Sequence, residues 1–344
     1  MENLEIKNEG KLLSEDGSLT TFGWARFPYL EPNVENINVY SLKTLQQFRL
    51  KRWQYYAITT PTNFFSFTIS HVGYLGLVFA YIVNFEKRVY HEETLNIPLG
   101  RGIHLPKDSL SGTASFEKGD LIVSFETTED KTRFINVNWP NFGKQTLAAK
   151  LKITIPEQQE SVVNVFPFNE KRFFYTRKVN CMQPEGEIKF DKVYKITPED
   201  AFGTLDWGFG VWPYKSAWLW GSFSTKLPDG RTVGVNLGDK IGNNPDVTDN
   251  GVILDGKVHK LGKVHFVYDP SQLDKEWDIK SEDGTLNLKF KPFLVRLAKT
   301  DLKIISSVLH QVFGHYSGIF TTGDGKTIEI KEVIGWIEEH NARW

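Results

Sequence analysis

The sequence predicts an almost entirely β protein, and three observations carry that prediction. Apolar and polar residues alternate with period two in segment after segment. Asp-Gly dipeptides punctuate those segments at hairpin intervals, at 16–17, 229–230, 255–256, 283–284 and 324–325. Aromatic residues make up 14% of the chain, which suits pleated, half-buried surfaces better than helices.

Along the chain, the most apolar stretch is 72–83, about a dozen residues where roughly twenty are needed to span a bilayer. Its Gly73, Tyr74, Gly76 and Tyr81 point to a buried strand. Alternating strands follow at 121–125 (LIVSF), 134–139 (FINVNW) and 151–155 (LKITI). The polar run 180–187 (NCMQPEGE) reads as an interdomain linker, dividing an N-terminal β domain, 1–180, from a C-terminal one, 188–344. Thr197-Pro198-Glu199-Asp200 carries an N-cap, a first-turn proline and early acids, which predicts one short helix ended by Gly203. Further strands are expected at 286–290 (LNLKF) and 327–331 (TIEIK), whereas 301–312 and 333–344 fit helix or strand.

With 344 residues, two domains of ordinary size are expected, with one large β domain as the competitor. Lys plus Arg number 41 against 42 Asp plus Glu, so no global field would draw nucleic acid or an anionic membrane. The lone Cys181 and the acidic, polar N-terminus fit a reducing compartment, with cytosol the simple reading.

The densest chemical signal is 206–223, DWGFGVWPYKSAWLWGSF, with four Trp, one Tyr and one acid. From Ser216 the residues alternate, so Trp218 and Trp220 share a face with Ser216 and Ser222, and Ala217, Leu219 and Gly221 share the other. Gly208, Gly210 and Pro213 predict a shaped loop over 206–214. Aromatic walls with a few polar groups make a site for an apolar or ring-shaped ligand, in which Trp207, Trp212, Trp218 and Trp220 hold the ligand and a buried Asp206 acts as acid or base. The same indoles equally suit the plug of a barrel or an interdomain seam, with Asp206 capping the loop backbone.

Around His310 and His315 the spacing matches no zinc motif and no Cys completes a ligand set, so no metal is expected. His315, beside Tyr316 and between Gly314 and Gly318, is read either as a proton-transfer residue or as a hydrogen-bonded structural histidine. The polar stretch 235–250 lacks a P-loop ending and the regular acids of an EF-hand. It reads as a mouth loop or lid containing Gly238 and Gly242, with Asn236 and Asp249 as ligand contacts. Nucleophile-elbow and dinucleotide fingerprints are missing from the sequence, and no cofactor is expected.

The blocks FGWARFPYLEPNVENI, RLKRWQYYAI, DWGFGVWPYKSAWLWGSF and HQVFGHYSGIF, with the closing GWIEEHNARW, resemble the uncharacterised bacterial family domain of unknown function 2804 over nearly the whole chain. More distantly, the ending through IKEVIGWIEEH is similar to the closing strands of carotenoid 1,2-hydratase and kievitone hydratase relatives. That resemblance implies two tandem lipocalin-like (calycin-type) antiparallel β-barrels or sandwiches with few short helices, an apolar ligand cavity and cofactor-free acid/base chemistry.

Two functions are therefore expected of the same pocket. One is a hydratase or isomerase with Asp206 as proton donor and Tyr214 and His315 assisting. The other is a non-catalytic carrier of a lipid or isoprenoid, with a carbohydrate-active protein as a third reading. In each of the first two the partner is a small apolar molecule.

Overall fold

The computed structural model describes residues 4–241, 246–301 and 305–344. Gly242 and part of the 301–312 segment lie outside the described residues. Two large antiparallel sheets account for most of the molecule. The first has thirteen described strands, its main path running from Val89–Pro98 through Leu75–Asn84, Asn63–His71, Leu50–Thr59, Phe202–Val211, Phe173–Lys189, Gln145–Thr154, Arg133–Phe142 and Leu121–Thr127 to Gly112–Lys118. The second has nine, in the order Lys257–Lys260, Gly251–Leu254, Thr232–Asp239, Lys215–Lys226, Thr327–Arg343, Ser306–Thr321, Leu286–Asp301, Trp277–Ser281 and Val264–Val267. Described helices are 3-10 turns, Val34–Asn36 and Lys43–Phe48. Among the described residues no helix is long and apolar enough to cross a membrane.

Each sheet has its own apolar core. Tyr56, Phe65, Phe125, Trp139 and Trp207 belong to the first; Phe223, Trp277, Phe290 and Tyr316 belong to the second. The alternating segments form strands because alternation puts every second side chain into one of these cores. At Asp255-Gly256 both residues take positive φ, 48° and 79°, the geometry of a two-residue type I′ hairpin joining Gly251–Leu254 to Lys257–Lys260.

Hydrogen bonding runs through 180–187. That stretch lies inside the strand Phe173–Lys189, and the chain changes sheets between Val211 and Lys215. The register of Phe173–Lys189 shifts between Val179 and Met182, where Cys181 has φ 55°, and the bulge turns Asn180 out of its ladder. Its amide then donates to Ser222 Oγ, the Phe223 carbonyl and the Val235 carbonyl of the second sheet at 2.9, 3.3 and 3.2 Å.

Two local expectations are corrected and an open one is decided. The 197–203 segment closes a single turn through Ala201 N–H to the Thr197 carbonyl, and then enters a strand at Phe202, because pairing with Thr59, Ile58 and Met182 outweighs the helix-start signal. Residues 206–211 are not a loop: they are paired on both sides within Phe202–Val211. Gly208 sits there because a Cβ would meet the Phe174 and Trp53 rings at 2.8 Å, and Gly210 because one would meet the Phe173 carbonyl at 2.3 Å. The first ambiguous C-terminal segment is strand from Ser306 onward, in Ser306–Thr321, and the second is strand through Arg343, in Thr327–Arg343.

Candidate functional site

Where the two sheets face each other, an apolar seam of Tyr55, Phe64, Tyr81, Phe85, Trp220, Phe313 and Trp336 packs along one side. Beside it, each sheet lays a polar row across its strands. In the first sheet, Lys178, Asp206, Tyr55, Thr68, Phe79 and Thr94 are successive register partners on neighbouring strands. In the second, Arg296, Gln311, Glu338 and Trp220 are successive partners likewise. Period-two alternation aims every member of a row at the opposing sheet.

The rows interlock. Lys178 Nζ pairs with Asp206 Oδ2 at 2.7 Å and lies 4.1 Å above the Trp220 ring, reaching from one sheet to the other. Arg296 makes a two-pronged ion pair with Glu92, 2.7 and 3.0 Å, and its guanidinium stacks 3.8 Å over Tyr81. The Tyr55 and Tyr81 hydroxyls are hydrogen-bonded at 2.9 Å. Gln311 Nε2 donates to Glu338 Oε1 at 3.1 Å and to Tyr55 OH at 3.5 Å.

All of these groups but Gln311 line one side of a cavity of about 240 Å³ between the sheets. Five of the ten tryptophans, Trp53, Trp212, Trp218, Trp220 and Trp344, line it as well, with Phe79, Phe174 and Leu77. Trp212 gathers the outer indoles, with ring centres 6.1 Å from Trp53, 5.4 Å from Trp218 and 5.9 Å from Trp344. Thr68 Oγ1, Tyr74 OH, Trp212 Nε1 and Trp344 Nε1, on lining residues, are buried atoms with no hydrogen-bond partner among the described residues.

Electrostatics single out Glu338. It is 8% exposed, and burial pushes its carboxyl up to about 7; the Lys178 ammonium pulls it down, Asp206 pushes it up, and Arg296 pulls it down again. Asp206 and Glu92 each have a cationic partner, whereas among the described residues Glu338 is hydrogen-bonded by the Gln311 amide and has no ion pair. Burial also raises Tyr81 to about 12, so its phenol stays protonated. His340, two residues beyond Glu338, is lowered to about 3 by burial and is neutral at physiological pH. Its Nε2 is hydrogen-bonded to Ser307 Oγ at 2.7 Å, and its ring stands edge-on to Trp218 with centres 4.1 Å apart.

The residues singled out in the sequence divide by position. Asp206, Trp212, Trp218 and Trp220 line the cavity. Asn236 lies behind the wall: it accepts from Trp220 Nε1 at 2.8 Å and donates to the Asp249 carbonyl at 2.6 Å, fixing the indole rather than lining the space. Asp249 is fully buried, with its carboxyl raised chiefly by burial, and it packs where a Cβ on Gly238 would come within 2.1 Å. Trp207 points to the other face of its strand and packs against Tyr175 and Phe209 in the first core. Tyr214 is 42% exposed in the turn between the sheets, and His315 is half-buried against Phe293; neither lines the cavity.

Sequence reasoning passed over Glu338, Lys178, Tyr55, Tyr81, Glu92, Arg296 and His340. The available signal was the alternation Trp336, Glu338, His340 in a terminal segment, which places an acid on an aromatic face. Among the described residues no group of three or more His, Cys, Asp and Glu side chains could hold a metal ion.

Residues 3–344 match the family described as Domain of unknown function (DUF2804). No curated protein matches the chain. Among solved structures, AttH (NE1406) from Nitrosomonas europaea is 12% identical with a TM-score of 0.49, covering 85% of this chain and 92% of that one. CghA is 10% identical with a TM-score of 0.49, covering 86% and 87%. Kievitone hydratase from Nectria haematococca is 10% identical with a TM-score of 0.45, covering 86% and 88%.

Proposed function

We propose that this chain, which belongs to the DUF2804 family, takes a hydrophobic, ring-containing small molecule into the cavity between its sheets and performs acid/base chemistry on it as a hydratase or isomerase. The observation that carries the reading is Glu338: a buried carboxyl with no ion-pair partner among the described residues, opening on a cavity walled by indoles and raised to about 7. A group that gives and takes a proton near neutrality is what both reactions need. In a hydration, the Glu338 proton goes to one alkene carbon, water oxygen bonds to the other, and the proton that water sheds returns to Glu338. Indole faces stabilise the positive charge that develops between those steps.

Asp206, the acid expected from the sequence, is assigned a different part here. Paired with Lys178 at 2.7 Å, it raises Glu338 through like-charge repulsion. Trp212, Trp218 and Trp220 form the wall, and Asn236 positions Trp220. Asp249 supports the Asn236 side of that wall through its backbone carbonyl. Tyr214 and His315 lie outside the lining and are given no part in the chemistry.

A carrier without turnover uses the same space. It is favoured by the ion pairing of both other lining acids, which leaves Glu338 as the single carboxyl without a counter-charge among the described lining residues. Native mass spectrometry of protein purified from its own host tests the pair of readings. A bound apolar molecule, lost from Trp218→Ala, supports the cavity; ligand retained unchanged by that variant sinks it. Conversion of the recovered molecule by the parent protein and not by Glu338→Gln supports the enzyme, whereas recovery unaltered from both supports the carrier.

A further inference from the structure

Among the described residues lining the cavity three are acids, Glu92, Asp206 and Glu338, and two are bases, Lys178 and Arg296. Each base is already committed, Lys178 to Asp206 at 2.7 Å and Arg296 to Glu92 at 2.7 Å. One carboxyl is left over, on a residue 8% exposed, and its register partner on the next strand is Trp220. The other groups facing it supply no cation: Tyr55 and Tyr81 are phenols held protonated by burial, Gln311 is an amide, and His340 is kept neutral. Among its described lining residues the cavity is therefore one positive charge short of balance whenever Glu338 is ionised.

Its walls are made for that missing charge. Indole faces attract cations, and the site already shows the effect once, in the Lys178 ammonium 4.1 Å above Trp220. Trp53, Trp212, Trp218 and Trp344 present four more indoles to the space. A carboxylate among aromatic rings is the composition of a site for a substituted ammonium group, whose burial cost is offset by the paired carboxylate and the indole faces.

We propose that the ligand of this cavity carries a cationic nitrogen on an apolar, ring-containing body, and that the nitrogen pairs with the Glu338 carboxylate among the indoles. The inference rests on the reading that the cavity is the ligand site, and it goes further by naming the ligand's charge. In that complex Glu338 has lost its proton to solvent and serves as the acceptor in chemistry, which selects the isomerase within the proposed function. Binding and ionisation are linked: a cation beside the carboxylate favours the charged form, so whatever fraction of a proton Glu338 still holds leaves as the ligand enters.

Benzyltrimethylammonium and its uncharged carbon isostere, neopentylbenzene, separate charge from shape, and indole emission of the full chain reports binding. At pH 8 the cation is expected to bind at least about tenfold more tightly than the isostere, with that advantage shrinking by up to about tenfold per pH unit below 7 as Glu338 takes up its proton. Glu338→Gln is expected to abolish both the preference and the pH dependence. Should that variant fold poorly, the parent protein alone still decides: an indicator dye at pH 6.5 should record release of part of a proton on adding the ammonium. Equal or tighter binding of neopentylbenzene at pH 8, a preference that survives Glu338→Gln, or binding with no proton release would overturn the inference while leaving the cavity as the ligand site. Binding of neither probe would remove the cavity reading itself, and the inference with it.

Discussion

Glu338 holds its proton more tightly in the folded chain than in the unfolded one, since burial raises its carboxyl from 4.5 to about 7. The protonated form therefore favours the fold: the contribution is complete below pH 4.5 and is lost as pH rises through 7. Between pH 4.5 and 8.5 the parent should lose about 3 kcal/mol relative to Glu338→Gln, a difference that urea unfolding at the two pH values would read. A parent whose stability tracks the variant's across that range would refute the assignment. Lys178 poses the opposite problem. Lys178→Met strands Asp206 in a buried site and should cost about 3–5 kcal/mol, whereas replacing both partners by apolar residues should cost much less. Single-variant losses that simply add in the double variant would show that the pair is not coupled. The shared face of Trp218 and Trp220 was legible in the sequence because alternation from Ser216 fixes which way each points, whereas Asp206 reads there as part of a loop. Glu338 was not legible. Its neighbours Lys178, Gln311 and Tyr55 come from three other strands in two sheets, and no local pattern announces that pairing.

At the scale of the strand, the bulge at Asn180 and Cys181 joins the two sheets. It turns an amide into the second sheet, and Gly234 leaves room for it: a Cβ there would meet Asn180 Cβ at 2.5 Å and Cys181 Sγ at 2.8 Å. Gly234→Ala should overpack this contact and lower stability by about 1–3 kcal/mol, measurable as an earlier urea midpoint with little change in slope. An unchanged midpoint would mean that the sheets part easily there. Strand character was readable from alternation, and the Asp255-Gly256 hairpin from its dipeptide, because both are local consequences of backbone geometry. The paired state of 206–211 was hidden, since Gly208 and Gly210 signal a break by themselves and become strand residues only when the Trp53 and Phe174 rings need their missing side chains.

Over the whole molecule, the seam and the ion pairs bind the sheets into one unit: Arg296 of the second holds Glu92 of the first, and Lys178 of the first covers Trp220 of the second. Neither sheet keeps its facing side dry without the other. Unfolding in urea should accordingly give coincident transitions by far-UV circular dichroism and by tryptophan emission, and two separated steps would contradict the shared seam. That the halves would each be β was expected from the chain; that they would share one polar layer followed only from the pairing of strands far apart in sequence. The gathering of indoles around Trp212 has a further consequence, an optical one. Rings at 5.4 to 6.1 Å with mutual tilts of 45°, 46° and 65° are near enough for their electronic transitions to mix. The cavity thus has its own chromophore assembly, whose near-ultraviolet dichroism should change when a guest parts the rings, so occupancy can be watched without any label.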